Sequence, residues 1–125
     1  MKCVFVLSHG WLSFLCGAQG LGTVNADLFG KQASRVMVLA YDYTVLAGTQ
    51  GGFNHKKKDR MFEIAERLRI PCIFFAEGGG GRPGDTDVAQ ISNLTLRTFE
   101  TWGKHSGNAP MIGITSGYCA LSSWF

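Results

Sequence analysis

The residues best placed to do chemistry in this chain are glycines. Residues 78–87, GGGGRPGDTD, can turn successive backbone N–H groups toward one point, which suits a developing oxyanion or a phosphate. A flexible linker would also be glycine-rich. A linker is not expected between an apolar strand-like segment and a helix, nor ahead of Arg82-Pro83, so a site is the better reading. Two further clusters resemble it in setting: AGTQGG at residues 47–52 and TSG at residues 115–117. Neither nucleotide fingerprint fits them. GKS and GKT do not occur, and Gly48, Gly51 and Gly52 are wrongly spaced for GxGxxG.

The second group is basic. Lys56, Lys57, Lys58 and Arg60 follow Asn54-His55 at the start of a helical pattern and suit the phosphates of an anionic ligand. A solvated basic helix face explains the run at least as well. No interleaved aromatics accompany it, so nucleic acid is excluded as a partner. His9, His55 and His105 are too dispersed for a metal site, and no Ser/His/Asp arrangement or GxSxG context exists. Cys3, Cys16, Cys72 and Cys119 have no paired-ligand spacing and read as free thiols in a reducing compartment. Asn93 opens a glycosylation sequon that matters only in a secreted chain.

The elements that must position these groups alternate. Residues 36–45, VMVLAYDYTV, begin as a continuous apolar run, as a buried strand does. Residues 56–68 are helical by periodicity, with Met61, Ile64, Ala65 and Leu68 on one face. Pro71 ends that helix, and residues 70–77 form a second apolar strand running into the glycines. A helix is expected over residues 91–104, stacking Ile91, Leu94, Thr98 and Trp102, and a third strand over residues 110–115. Strand, helix, strand, helix, strand predicts right-handed crossovers and a parallel sheet. All three glycine clusters then fall at the carboxyl ends of strands, where such sheets bind ligands.

The bulk numbers agree with one such domain. The 125 residues carry a net charge of +3, with 46% apolar and 17% charged, which excludes disorder and leaves an anionic ligand open. No run reaches the ~18 apolar residues of a membrane span. The opening residues 1–16 have the outline of a secretory signal. His9-Gly10 interrupt them and small residues before Cys16 are lacking, so a first strand or an extension is the better reading.

Residues 38–65 and 70–87 together resemble the carboxyltransferase (beta) subunits of biotin-dependent acyl-CoA carboxylases of the propionyl-CoA and methylcrotonoyl-CoA type. GTVNADLFG at residues 22–30 and PMIGITSGYC at residues 110–119 resemble the segments that flank this block there. The resemblance covers residues 22–119 and the N-terminal half of that family only. Residues 1–21 and 120–125 read as an atypical extension and an atypical end.

The resemblance implies an α/β, crotonase-like (ClpP/crotonase) fold of ββα units, here a partial domain with a largely parallel sheet. It implies transfer of a carboxyl group from carboxybiotin, supplied by a carrier protein, to the α-carbon of an acyl-CoA. Paired backbone amides would hold the thioester enolate. The family's strand-end Gly-Gly pair falls on Gly79 and Gly80, with Glu77, Gly78 and Gly81 replacing its usual acid, serine and alanine. Gly78 is thus expected to lie outside the oxyanion hole and to tolerate substitution better. Gly48, Gly51, Lys56, Lys57, Arg60 and Gly117 are the candidate substrate-binding positions.

Biotin carboxylase and carrier subunits, and further carboxyltransferase subunits, are the implied partners. The compartment would be cytoplasmic, or the mitochondrial matrix in a eukaryote. Biotin itself would not be bound by these residues alone, which by themselves should be inactive. Other readings of the same fold are an acyl-CoA hydratase, isomerase or decarboxylase, with Glu77 and Asp85 as candidate acids, and a non-catalytic CoA-binding module. A half-domain should also expose apolar side chains, with Phe53, Trp102 and Trp124-Phe125 as candidates.

Overall fold

A computed structural model describes residues 5–7, 17–81, 97–117 and 119. The expectations placed on residues 82–96, on Trp124-Phe125 and on most of residues 1–16 lie outside them. Five strands form one sheet in the order β1-β2-β3-β4-β5: β1 (Phe5–Leu7), β2 (Gly17–Val24), β3 (Arg35–Tyr41), β4 (Cys72–Phe75) and β5 (Met111–Ile114).

β3 is the central strand, and Val36, Met37, Val38 and Leu39 are buried in succession, so both of its faces are covered. It pairs in parallel with β4, and β4 with β5, so that Met37, Cys72 and Met111 share one level of the sheet. Pro71 and Pro110 stand just before these strands, where a missing N–H does no harm. Their carbonyls accept from Met37 at 2.8 Å and Cys72 at 3.0 Å. This is the parallel arrangement the alternating pattern predicts. β1 and β2 run antiparallel on the other side of β3. β2 begins at Gly17, before the residues that carry the sequence resemblance.

Between β2 and β3 lies α1 (Ala26–Ala33), a short helix. It is kinked at Gly30 and buries no residue. Its Leu28 and Phe29 are 70% and 65% exposed. Phe53 is also exposed, as expected, whereas Trp102 is partly buried against the core.

The long helix α2 (Gly52–Leu68) starts four residues before the periodicity suggests, because Gly51 in extended conformation serves as its N-cap. It ends at Arg69, whose left-handed backbone lets its N–H reach the carbonyls of Ala65 and Glu66. Its buried stripe is Asn54, Lys58, Phe62 and Ala65, not the expected Met61, Ile64, Ala65 and Leu68. Leu68 is exposed and Met61 only fringes the core. The stripe keeps helical spacing, but its first two turns are polar.

Phe62 lies edge-on to Trp102 of α3 (Arg97–His105) with centroids 4.7 Å apart, and Tyr41 meets Phe74 at 4.9 Å. Such pairs contribute about 1 kcal/mol each beyond the area they bury. Around them Met37, Leu39, Ala65, Ile70, Cys72 and Ala76 close the core.

Candidate functional site

The turn after β3 is wound the wrong way for ordinary residues. Leu46, Ala47 and Gly48 have φ of 48°, 55° and 66°, three successive residues in the left-handed region. Non-glycine residues there cost about 1–3 kcal/mol each and persist only where the surroundings force them. What forces them here is the glycine turn after β4, which crosses the first turn backbone to backbone. A Cβ on Gly48 would lie 2.5 Å from the Glu77 carbonyl oxygen and 2.9 Å from the Gly78 Cα. A Cβ on Gly78 would in turn strike the Gly48 carbonyl, 2.9 Å from its carbon. Gly78 is therefore as unable as Gly48 to take a side chain, contrary to the expectation that it stands apart from the site.

Hydrogen bonds fasten the crossing. The Gly79 N–H donates to the Ala47 carbonyl at 3.0 Å, and the Gln50 N–H donates to the Gly80 carbonyl at 2.8 Å. This corrects the pairing of Gly79 with Gly80 as oxyanion donors, since the Gly79 N–H is spent inside the protein. Gly80 differs. It is buried at φ 86°, and its N–H has no partner among the described residues. A buried backbone N–H without an acceptor is uncommon and calls for one.

The ends of β4 and β5 are bolted by Glu77, whose Oε1 accepts from the Ser116 N–H at 3.1 Å and from the Ser116 hydroxyl. These bonds to its ionised form hold the Glu77 carboxyl below the usual carboxylate range. Gly117 sits beside it, where a Cβ would be 3.6 Å from Glu77 Oε2. Gly51 caps α2 next to the crossing and its carbonyl accepts from the His55 N–H at 3.1 Å. The structure thus gathers Gly48, Gly78, Gly79 and Gly80 at one crossing, with Gly51 and Gly117 flanking it.

The basic run is not gathered. Lys56 is exposed over the Phe53 ring, and Arg60, one turn on, is exposed and reaches Glu63 at 3.4 Å. Lys57 turns to the sheet and donates to the Gly17 carbonyl at 3.1 Å. Lys58 is buried, with its Nζ 3.0 Å from the Tyr41 hydroxyl and 5.2 Å from the ring centroid. The helix spreads the four cations over different directions, and of them Lys56 and Arg60 are the exposed pair one turn apart. His55 Nδ1 meets Thr98 Oγ1 at 3.2 Å, and that hydroxyl donates to Asp59 at 2.5 Å, tying α2 to α3. Burial, and then the charge of Lys58, push the His55 imidazole down to about 4, so it stays neutral near pH 7.

Residues with no single motif of their own complete the site. Gln19, Gln50 and Asn54 are buried and bonded to one another, and Lys58 continues their line one turn along α2. The spacing of four from Gln50 through Asn54 and Lys58 to Phe62 is the signal that could have marked them.

Lys58 carries a testable consequence. Burial pushes its ammonium down to about 8, although Asp59 opposes the shift. The unfolded chain therefore binds one more proton than the folded chain between about pH 8 and the normal lysine value near 10.4, and stability rises with pH there. Burial also raises Cys72, to about 12, and Tyr41, and these groups lower stability as they titrate in the unfolded chain, the thiol already from about pH 8. The Lys58 contribution between about pH 8 and 9 is therefore read as a difference: chemical denaturation should show the wild type gaining about 1 kcal/mol relative to Lys58→Met. Parallel pH profiles for the two proteins would count against the buried ammonium.

Taken as a class, this is an α/β domain of the crotonase type, with its glycine turns at the carboxyl ends of parallel strands. No family model matches the chain. It is 50% identical, with a TM-score of 0.74, to a solved single-chain, multi-domain long-chain acyl-CoA carboxylase, over 82% of this chain and 10% of that one. It is 34% identical over 101 residues to the uncharacterized carboxylase YngE of Bacillus subtilis (strain 168), covering 80% of this chain and 19% of that protein. It is 35% identical over 85 residues to the mitochondrial methylcrotonoyl-CoA carboxylase beta chain of Arabidopsis thaliana, covering 66% of this chain and 14% of that one. The chain is a relative of the carboxyltransferase (beta) chains of acyl-CoA carboxylases, and it spans less than a fifth of the length of these relatives. No helix among the described residues is long and apolar enough to cross a membrane.

Proposed function

We propose that this chain forms the acyl-CoA side of a carboxyltransferase that moves a carboxyl group from carboxybiotin to the α-carbon of an acyl-CoA. The observation that carries this reading is the buried Gly80 N–H, which has no partner among the described residues, at the crossing of two glycine turns. It donates to the thioester oxygen of the substrate. When the α-proton leaves, negative charge develops on that oxygen, and a fixed donor in a dry site stabilises it more than water would. Gly48, Gly51 and Gly117 line the approach, and Lys56 and Arg60 are the cations left to meet the CoA phosphates.

Carboxybiotin supplies the carboxyl group when bound. On this reading the glycine crossing serves the acyl oxygen, and biotin is held by another part of the enzyme. A carrier protein, biotin carboxylase and other carboxyltransferase subunits are the partners of this reading. Its compartment is the cytoplasm, or the mitochondrial matrix in a eukaryote.

The hydratase reading is weaker on one observation. Glu77, the described carboxylate it would use, is held ionised by Ser116 and is poorly suited to trade protons. In the test, the isolated chain should bind propionyl-CoA in a calorimetric titration, yet form no methylmalonyl-CoA when carboxybiotin is added. Transfer by the chain alone, or a lack of binding, would contradict the proposal.

A further inference from the structure

We infer that Gln50 is the positioning residue of this site: it holds the two glycine turns in register and so sets the direction of the Gly80 N–H. This rests on the acyl-CoA reading above. Gln50 is 3% exposed and uses both its main chain and its side chain on the crossing. Its N–H donates to the Gly80 carbonyl at 2.8 Å, on the turn after β4. Its Nε2 donates to the Gly48 carbonyl at 2.8 Å, on the turn after β3. One residue therefore ties down the flanking carbonyls of both turns.

The side-chain amide is itself oriented. Gln50 Oε1 accepts from Asn54 Nδ2, one helix turn on, and Asn54 Oδ1 accepts from Gln19 Nε2 of β2 at 3.4 Å. Asn54 and Gln19 are 2% and 7% exposed, so water does not compete for these bonds. With Oε1 taken by a donor, Nε2 must face the Gly48 carbonyl, and the amide has one orientation. The turn after β4 is glycine from Gly78 to Gly81 and brings no side chain of its own to the crossing. The amide supplies what glycine lacks.

The Gly80 amide is separated from its own carbonyl by rotations that glycine leaves free. Fixing the Gly80 carbonyl and the facing turn removes that freedom before ligand arrives. Gln50 touches no substrate in this scheme; it acts through Gly80.

The test compares two ligands that differ by one oxygen: propionyl-CoA, and S-propyl-CoA, a thioether without the carbonyl. The wild-type chain should prefer the thioester by about fivefold, the worth of one neutral hydrogen bond. Gln50→Met keeps the length and removes both side-chain bonds. It should abolish that preference while binding S-propyl-CoA within about twofold of wild type.

Gln50→Glu adds a readout that packing alone would not move. Its ionised carboxylate repels the Gly48 carbonyl, whereas its protonated form restores an O–H donor. The thioester preference of this variant should return on acidification, while that of the wild type stays flat. Equal losses for both ligands, or a preference in Gln50→Glu that ignores pH, would reduce Gln50 to a packing residue and overturn the inference. Binding of both ligands without any wild-type preference would instead fail the thioester reading itself, and the inference with it.

Discussion

Gly78→Ala should destabilise this chain by about 3 kcal/mol or more, the largest effect expected of any single methyl group here. The added carbon has backbone on its far side, not a side chain that can swing away. It would meet the Gly48 carbonyl, and Gly48 cannot retreat because its own Cα packs against Glu77 and Gly78. Gly48→Ala should be as costly, since it adds a left-handed φ of 66° to the same clash. Gly81→Ala is the control: nothing among the described residues lies within 4 Å of its Cβ, and the change should stay within about 0.5 kcal/mol. Urea denaturation of the three variants decides it. Similar midpoints for Gly78→Ala and Gly81→Ala would mean that the two turns do not touch.

The second large effect is on turnover and needs a full-length carboxylase carrying the same four glycines. Replacing the residue equivalent to Gly80 with valine should lower kcat by about a hundredfold, the worth of one oxyanion donor. At φ 86° a β-branched residue is strained, so the turn would shift and carry the N–H away from the thioester oxygen. Alanine at the equivalent of Gly81 should leave kcat within about twofold, because its methyl group meets none of the described residues within 4 Å. A folded valine variant with undiminished kcat would remove Gly80 from the mechanism.

These effects were unevenly legible in the sequence. The apolar run of β3, the prolines ahead of β4 and β5 and the glycines behind β3, β4 and β5 announce parallel strands with a site at their ends. The phase of α2 is not announced in that way. Its sheet-facing stripe opens with Asn54 and Lys58, which read as solvent-facing until Gln19 and Tyr41 are brought opposite them. Hydrophobic periodicity can see only Phe62 and Ala65 of that stripe, and the neighbouring Met61 and Leu68 then pull the apparent face aside.

The glycine turns were visible as a group but not as individuals. Which glycine touches which depends on where two turns cross, and that is a property of the sheet register. Nothing in the sequence shows that Gly78 meets Gly48, or that the Gly79 N–H donates to Ala47 and not to a ligand. The basic run of residues 56–60 misleads in the opposite sense. Consecutive cations look like one patch in sequence, and a helix points them apart.

One hydrogen atom defines the proposed thioester site, the amide proton of Gly80. Proton–nitrogen correlation spectra of the labelled chain, titrated with propionyl-CoA and separately with S-propyl-CoA, observe it directly. The Gly80 amide proton should move downfield with the thioester and stay near its free position with the thioether, while the Gly79 amide, already bonded to Ala47, responds little to either. Saturating propionyl-CoA that leaves the Gly80 amide where the thioether leaves it would contradict the assignment of this turn as the thioester site.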